Sequence, residues 1–151
     1  MAADRSYVAA NRAQLERLRA LTGRLSDQQL AGPMEAGWTV AGVLAHLAFW
    51  DERIVTLIDR WDGGRGTPPP RYDEAAVDWI NDAGKRLCLA LSPRVAARMA
   101  VEAAVAADER VAGLSEAQLA ANAAAGHPIA VLRAEHRREH LDEIDQILAR
   151  R

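Results

Sequence analysis

Two residue types are almost missing from this chain: Cys88 is its only cysteine and Lys85 its only lysine. One cysteine excludes an intramolecular disulfide and suits a reducing, cytoplasmic compartment. With lysine so rare, arginine carries the positive charge, the bias of a GC-rich genome. No basic block stands apart from acidic neighbours, and the formal net charge is −2. A phosphate-backbone footprint is therefore lacking, and nucleic acid is not an expected partner. No apolar run approaches the roughly 20 residues of a membrane span. The amino-terminal MAADRSYVAANRAQ also lacks the apolar stretch of a signal peptide. The expectation is a cytoplasmic protein with no membrane contact. Strand-like alternation is missing as well.

What is present is helical periodicity almost throughout. The 151 residues predict one domain spanning 1–151. A domain of that length buries roughly two-thirds of its unfolded surface, so it needs no metal merely to fold. A metal site in it reads as functional first.

The first helix is expected from about Asp4 to Leu25, with Val8, Leu15, Leu18 and Leu25 along one face. Gly32 and Pro33 lead through a loop to Gly37. A second helix opens at Trp38-Thr39, with Thr39 as N-cap, and runs to about Trp61 before Gly63, Gly64 and Gly66 end it. Val43, Leu47, Trp50, Ile54, Leu57 and Trp61 form its apolar stripe. RGTPPPR (65–71) is a linker, since three prolines exclude a helix. Asp73 to about Leu91 predicts a shorter helix carrying Trp79 and Leu87. Ser92-Pro93 restarts an Ala-rich helix, Val95 to about Leu114, whose small side chains admit a close neighbour. A Ser/Gln/Asn/Ala stretch ending in Gly126 reads as a connection, and a last helix as starting near His127-Pro128. Four long helices around one core, an all-α four-helix bundle, is the economical architecture.

His136 and His140 lie one turn apart in HRREH, so both imidazoles project from one face of the last helix. On a wheel they fall among Leu132, Ile129, Ile144 and Ile147, with Arg137, Arg138 and Asp142 outward. Two imidazoles inside a bundle each need a polar partner, and a shared metal satisfies both. His46 lies on the edge of the second helix's stripe. Any one of these histidines alone reads first as a structural residue. Together, three neutral imidazoles would leave an ion its full charge and an open position, as in catalytic zinc.

GWTVAGVLAHLAFWDE (37–52), VDWIN (77–81) and HRREHLDEI (136–144) occur in that order, and their combination resembles the DinB superfamily of bacterial metal-binding bundles. The resemblance implies a four-helix bundle with a crossover helix order, frequent homodimerisation, and a divalent-metal triad at His46, His136 and His140. Zinc is the first expectation, with nickel, iron or manganese as alternatives. It also implies kinship with enzymes that use a low-molecular-weight thiol such as bacillithiol, mycothiol or glutathione, and with a few hydrolases. One departure is Gly42, where relatives often place an acid that closes a capping box after the threonine.

Arg53, two turns after His46, is a candidate for binding a carboxylate or thiolate near the metal, or else a surface arginine. Glu143 is a candidate acceptor for an imidazole N–H or a proton shuttle, or else a rim carboxylate. Trp38 and Trp50 are candidates for lining a substrate pocket, but at helical spacing they read first as core, as do Trp61 and Trp79. His127 reads as a cap of the last helix before a fourth ligand, Cys88 as a buried thiol before a nucleophile, and Tyr72 and Asn81 as linker hydrogen-bonders before residues of the site. Three functions compete: a metal-dependent transferase or hydrolase acting on a small electrophile, a stress protein that sequesters a small molecule at the same metal without turnover, and, last because the triad is complete, a structural dimeric bundle whose histidines are a relic.

Overall fold

The computed structural model describes residues 2–61 and 68–151. The expected helix-ending Gly63, Gly64 and Gly66, and the first half of the 65–71 linker, lie outside them. Seven α-helices follow in order: α1 (Ser6–Arg24), α2 (Asp27–Leu30), α3 (Val40–Arg60), α4 (Glu74–Ala90), α5 (Pro93–Ala112), α6 (Glu116–Ala124) and α7 (Ala134–Ala149), with a 3₁₀ turn at Glu35–Gly37 before α3. Among the described residues there is no strand, only an isolated bridge between Pro33 and Thr39. None of the helices is long and apolar enough to cross a membrane.

The four long helices form a ring in the packing order α1–α5–α3–α7. α4 lies outside it, against α3. The most extensive contact is α3 on α5. Its cause is the alanine content of α5, where Ala96, Ala97, Ala100, Ala103, Ala104 and Ala107 are all buried. Leu18, Leu21, Leu30, Leu44, Leu47, Leu141 and Ile144 fill the space between the helices. Burying a side chain of this size stabilises by roughly 1.5–3 kcal/mol.

Several boundaries follow local chemistry. Thr39 caps α3 by accepting the Gly42 N–H at 2.9 Å, as expected. Asp73 caps α4 through Ala76. Pro93 opens α5 after Ser92.

The carboxy-terminal third departs from expectation. The stretch read as a connection is the helix α6, started by a capping box in which Ser115 and Gln118 exchange hydrogen bonds. The last helix begins at Ala134, not near His127-Pro128. His127 has φ 58°, a left-handed conformation that no helix start uses, so it caps nothing. The segment after it is held from α6: Asn122 accepts the Ile129 N–H and donates to the Ile129 carbonyl, both at 2.9 Å. The cap of α7 comes instead from α1, where Asn11 Oδ1 accepts the Ala134 N–H at 2.9 Å.

The side-chain readings of Trp79, Arg137 and Leu132 are also corrected. Trp79 is 63% exposed and Leu87 is 73% exposed, because α4 buries no residue fully. Arg137 is 1% exposed rather than outward, while Leu132, which precedes α7, is largely outside.

Candidate metal centre

His46 comes from the second turn of α3, and His136 and His140 from the first half of α7. The entry to α3 is fixed by backbone bonds: Met34 N–H to the Trp38 carbonyl at 2.7 Å, and Val40 N–H to that of Gly32 at 3.0 Å. Gly42 is explained by packing. A Cβ there would meet Leu89 of α4 at 2.8 Å, so close approach of α4 takes the position a capping acid would fill.

The three imidazoles converge. One ligand nitrogen from each lies within 4.8 Å of the others. His46 Nε2 and His136 Nε2 are 3.2 Å apart. The rings meet edge-on, with centroids 4.8–5.2 Å apart. Metal–nitrogen bonds of 2.0–2.1 Å in a tetrahedral site set ligand nitrogens about 3.3 Å apart, so this spacing fits one ion. The donor set fits too. Burial, reinforced by His140, lowers the pKa of His46 to about 4. Burial, then the neighbouring His140 and His46, then Arg133 and Arg137, bring His136 to about 2. Both rings are therefore neutral at pH 7, the ligating form.

His140 Nδ1 is 3.0 Å from a Glu143 carboxylate oxygen. That contact makes Nδ1 the protonated nitrogen and leaves Nε2 as the ligand atom. Glu143 occupies the place its spacing predicted, with its side chain 47% exposed.

The histidines form one wall of a cavity of about 740 Å³. Trp38, Val43, Val77 and Ile147 supply apolar lining. Glu35, Asp78, Asp82, Glu139 and Glu143 make the rest strongly acidic, against Arg150 alone. Asn81 also lines it and accepts the Trp50 indole N–H at 2.8 Å, so it serves this site and not the linker. Trp38 is half-buried with its ring 5.8 Å from His46, more wall than core. Arg53 is not part of this cavity. It lines a second one of about 520 Å³, with Tyr72 and His127. Cys88 packs against the main core, and burial raises its thiol pKa.

Behind the histidines lies a charge network that the sequence reading missed. Asp51 of α3 is 2% exposed. Its two oxygens accept from Arg133 Nε at 2.9 Å and from Arg137 Nε at 3.2 Å. Arg137 also pairs both Nη atoms with Asp108 of α5, at 2.7 and 3.0 Å. Arg133 immediately precedes α7 and Arg137 follows His136 on it, so the network joins α3, α5 and α7 beside the imidazole cluster. A signal was available. Asp51 falls between Leu47 and Ile54 on the α3 stripe, and Arg137 precedes Leu141 and Ile144 on that of α7. Opposite charges in the middle of two apolar stripes mark a buried pair.

Comparison with curated proteins and with solved structures returns no significant match. A family model does match, the DinB superfamily, over residues 10–144. Nearly the whole chain, including all three histidines, lies within that match, and the protein belongs to the DinB superfamily.

Proposed function

We propose that this protein is a metal-dependent enzyme that brings a low-molecular-weight thiol, or water, to a small electrophilic substrate at His46, His136 and His140. The observation that carries the reading is the convergence of three imidazoles from two helices on the wall of an open cavity. Three neutral ligands leave a divalent ion, zinc first, its full charge and an open position. When bound, such an ion supplies Lewis acidity and lowers the pKa of a thiol or water.

The chain's own residues do the rest. Glu143 fixes the His140 ring, and its half-exposed carboxylate takes up the proton released at the cavity. Trp38 and Trp50 flank His46 edge-on and keep water from that side of the imidazoles. Asn81 pins Trp50 through its indole N–H. A second reading, sequestration without turnover, draws on the cavity chemistry: the carboxylate closest to the histidines is already engaged with His140.

Elemental mass spectrometry of tag-free protein, beside a His136→Ala/His140→Ala variant, tests the metal. About one divalent ion per chain, lost in the variant, is the expected result. Wild-type protein that neither carries nor takes up an ion would overturn the proposal. With metal present, consumption of thiol and electrophile separates catalysis from sequestration.

A further inference from the structure

We infer that the second cavity is a carboxylate-binding subsite built on Arg53, and that it extends the metal cavity into one groove for an elongated substrate with an anionic end. The inference rests on the metal reading only for the substrate's other end.

Arg53 is half-buried, and its guanidinium lies over two aromatic rings, 4.4 Å from the centre of Tyr72 and 5.5 Å from that of Trp50. Its Nε is buried with no hydrogen-bond partner among the described residues. A buried N–H without an acceptor is costly, and the two aromatic faces hold the guanidinium flat. What such a group lacks is a planar, bidentate acceptor, and a carboxylate has that shape. Arg71 lines the same cavity. Glu74 and Asp78 line it too, but both are exposed at its edge, where solvent screens them.

The two cavities adjoin, with Val77 and Asp78 lining both. The pinned Trp50 stands between them: its ring borders the second cavity, and its partner Asn81 borders the first. His46 and Arg53 are seven residues apart on α3. Two helical turns put them on the same face, with their backbones about 10 Å apart. A ligand whose reacting atom is at the histidines thus meets Arg53 with a carboxylate about 10 Å away.

Two measurements test this. In metal-free protein, butyrate is titrated while the Arg53 Nε–H resonance is followed by ¹⁵N NMR. A saturable shift, absent with butanol, is expected, and an unmoved resonance would count against the subsite. In nickel-loaded protein, ω-mercaptocarboxylates of increasing length are compared by calorimetry with ω-mercaptoalcohols of the same length. An affinity optimum at a chain spanning about 10 Å, about tenfold over the matching alcohol, is expected. Arg53→Gln should abolish that optimum while short-thiol binding and metal content persist. If the protein loads no metal, the metal reading fails and the butyrate titration alone decides the subsite. If metal loads, but neither the butyrate shift nor the length optimum is seen, the subsite is overturned and the metal reading stands.

Discussion

Arg137 follows His136 directly, yet it turns into the bundle, where its guanidinium meets the Asp51 carboxylate at 3.2 Å. Asp51 is five residues beyond His46 on α3, so the ion pair and the His46–His136 contact tie the same two helices. A slip of α7 by one residue would break both together. The network is thus the device that sets the register of the histidines.

Removing the Asp51 charge should therefore cost far more than a surface substitution. Asp51→Asn leaves Arg133 and Arg137 buried with only Asp108 to answer them, and breaking a buried pair costs about 3–5 kcal/mol. Urea unfolding should show a lower midpoint with the denaturant slope unchanged. Arg137→Met added to Asp51→Asn should recover part of the loss, a coupling of about 0.5–3 kcal/mol. Strict additivity of the two substitutions would mean that the pair does not act as a unit.

At Ile129 the segment ahead of α7 is held by one side chain. Asn122 satisfies both backbone groups of Ile129, which is fully buried. Asn122→Ala leaves a buried donor and acceptor unpaired, at about 1–3 kcal/mol each. Asn122→Asp keeps an acceptor for the Ile129 N–H but sets a buried carboxylate against the Ile129 carbonyl, so at neutral pH it should melt no higher than the alanine variant. If Asn122→Ala melts with the wild type, solvent reaches Ile129 and the bracket is not structural.

The four long helices and the His136/His140 pair were legible because each rests on local signals: Thr39 before an apolar stripe, proline after Ser92, two histidines one turn apart. His46 joined them through the family resemblance, 90 positions away. What escaped was non-local. Asn11 caps α7 across 123 positions of sequence, and nothing near Ala134 announces a helix start. His127-Pro128 imitates one, but a left-handed residue precedes the proline. Arg137 was placed outward because arginine on a helix is usually solvated, and its partner is 86 positions away on α3. Trp79 and Leu87 show the converse, an amphipathic helix whose large apolar residues remain outside.

Gly42 separates propensity from packing. Glycine inside a helix costs roughly 1 kcal/mol against alanine, so sequence alone expects Gly42→Ala to stabilise. The new Cβ would lie 2.8 Å from Leu89 Cδ2 and 3.1 Å from the capping Thr39 Oγ1. Leu89 must swing away, and the cap is crowded. Gly42→Ala should therefore return well under the roughly 1 kcal/mol that propensity promises. A full gain in chemical unfolding would show that α4 yields freely there.

Glu143 offers the sharpest separation between metal affinity and stability. Its carboxylate holds His140 Nδ1 at 3.0 Å and is otherwise half exposed. Outer-shell partners of this kind are typically worth about 10–100-fold in metal affinity, and exposure places Glu143 near 10-fold. Glu143→Ala should weaken zinc binding by that factor in a chelator competition, because the ring loses the acceptor that sets its tautomer. Glu143→Gln keeps an acceptor and should recover most of the affinity. Neither change should move unfolding of the metal-free protein beyond about 0.5 kcal/mol, as for an ordinary surface site. Asp51→Asn should do the reverse, with stability falling first and metal binding following it. Equal zinc affinity in Glu143→Ala and wild type would mean that the α7 backbone alone orients His140, and Glu143 would remain only as the proton acceptor of the proposed reaction.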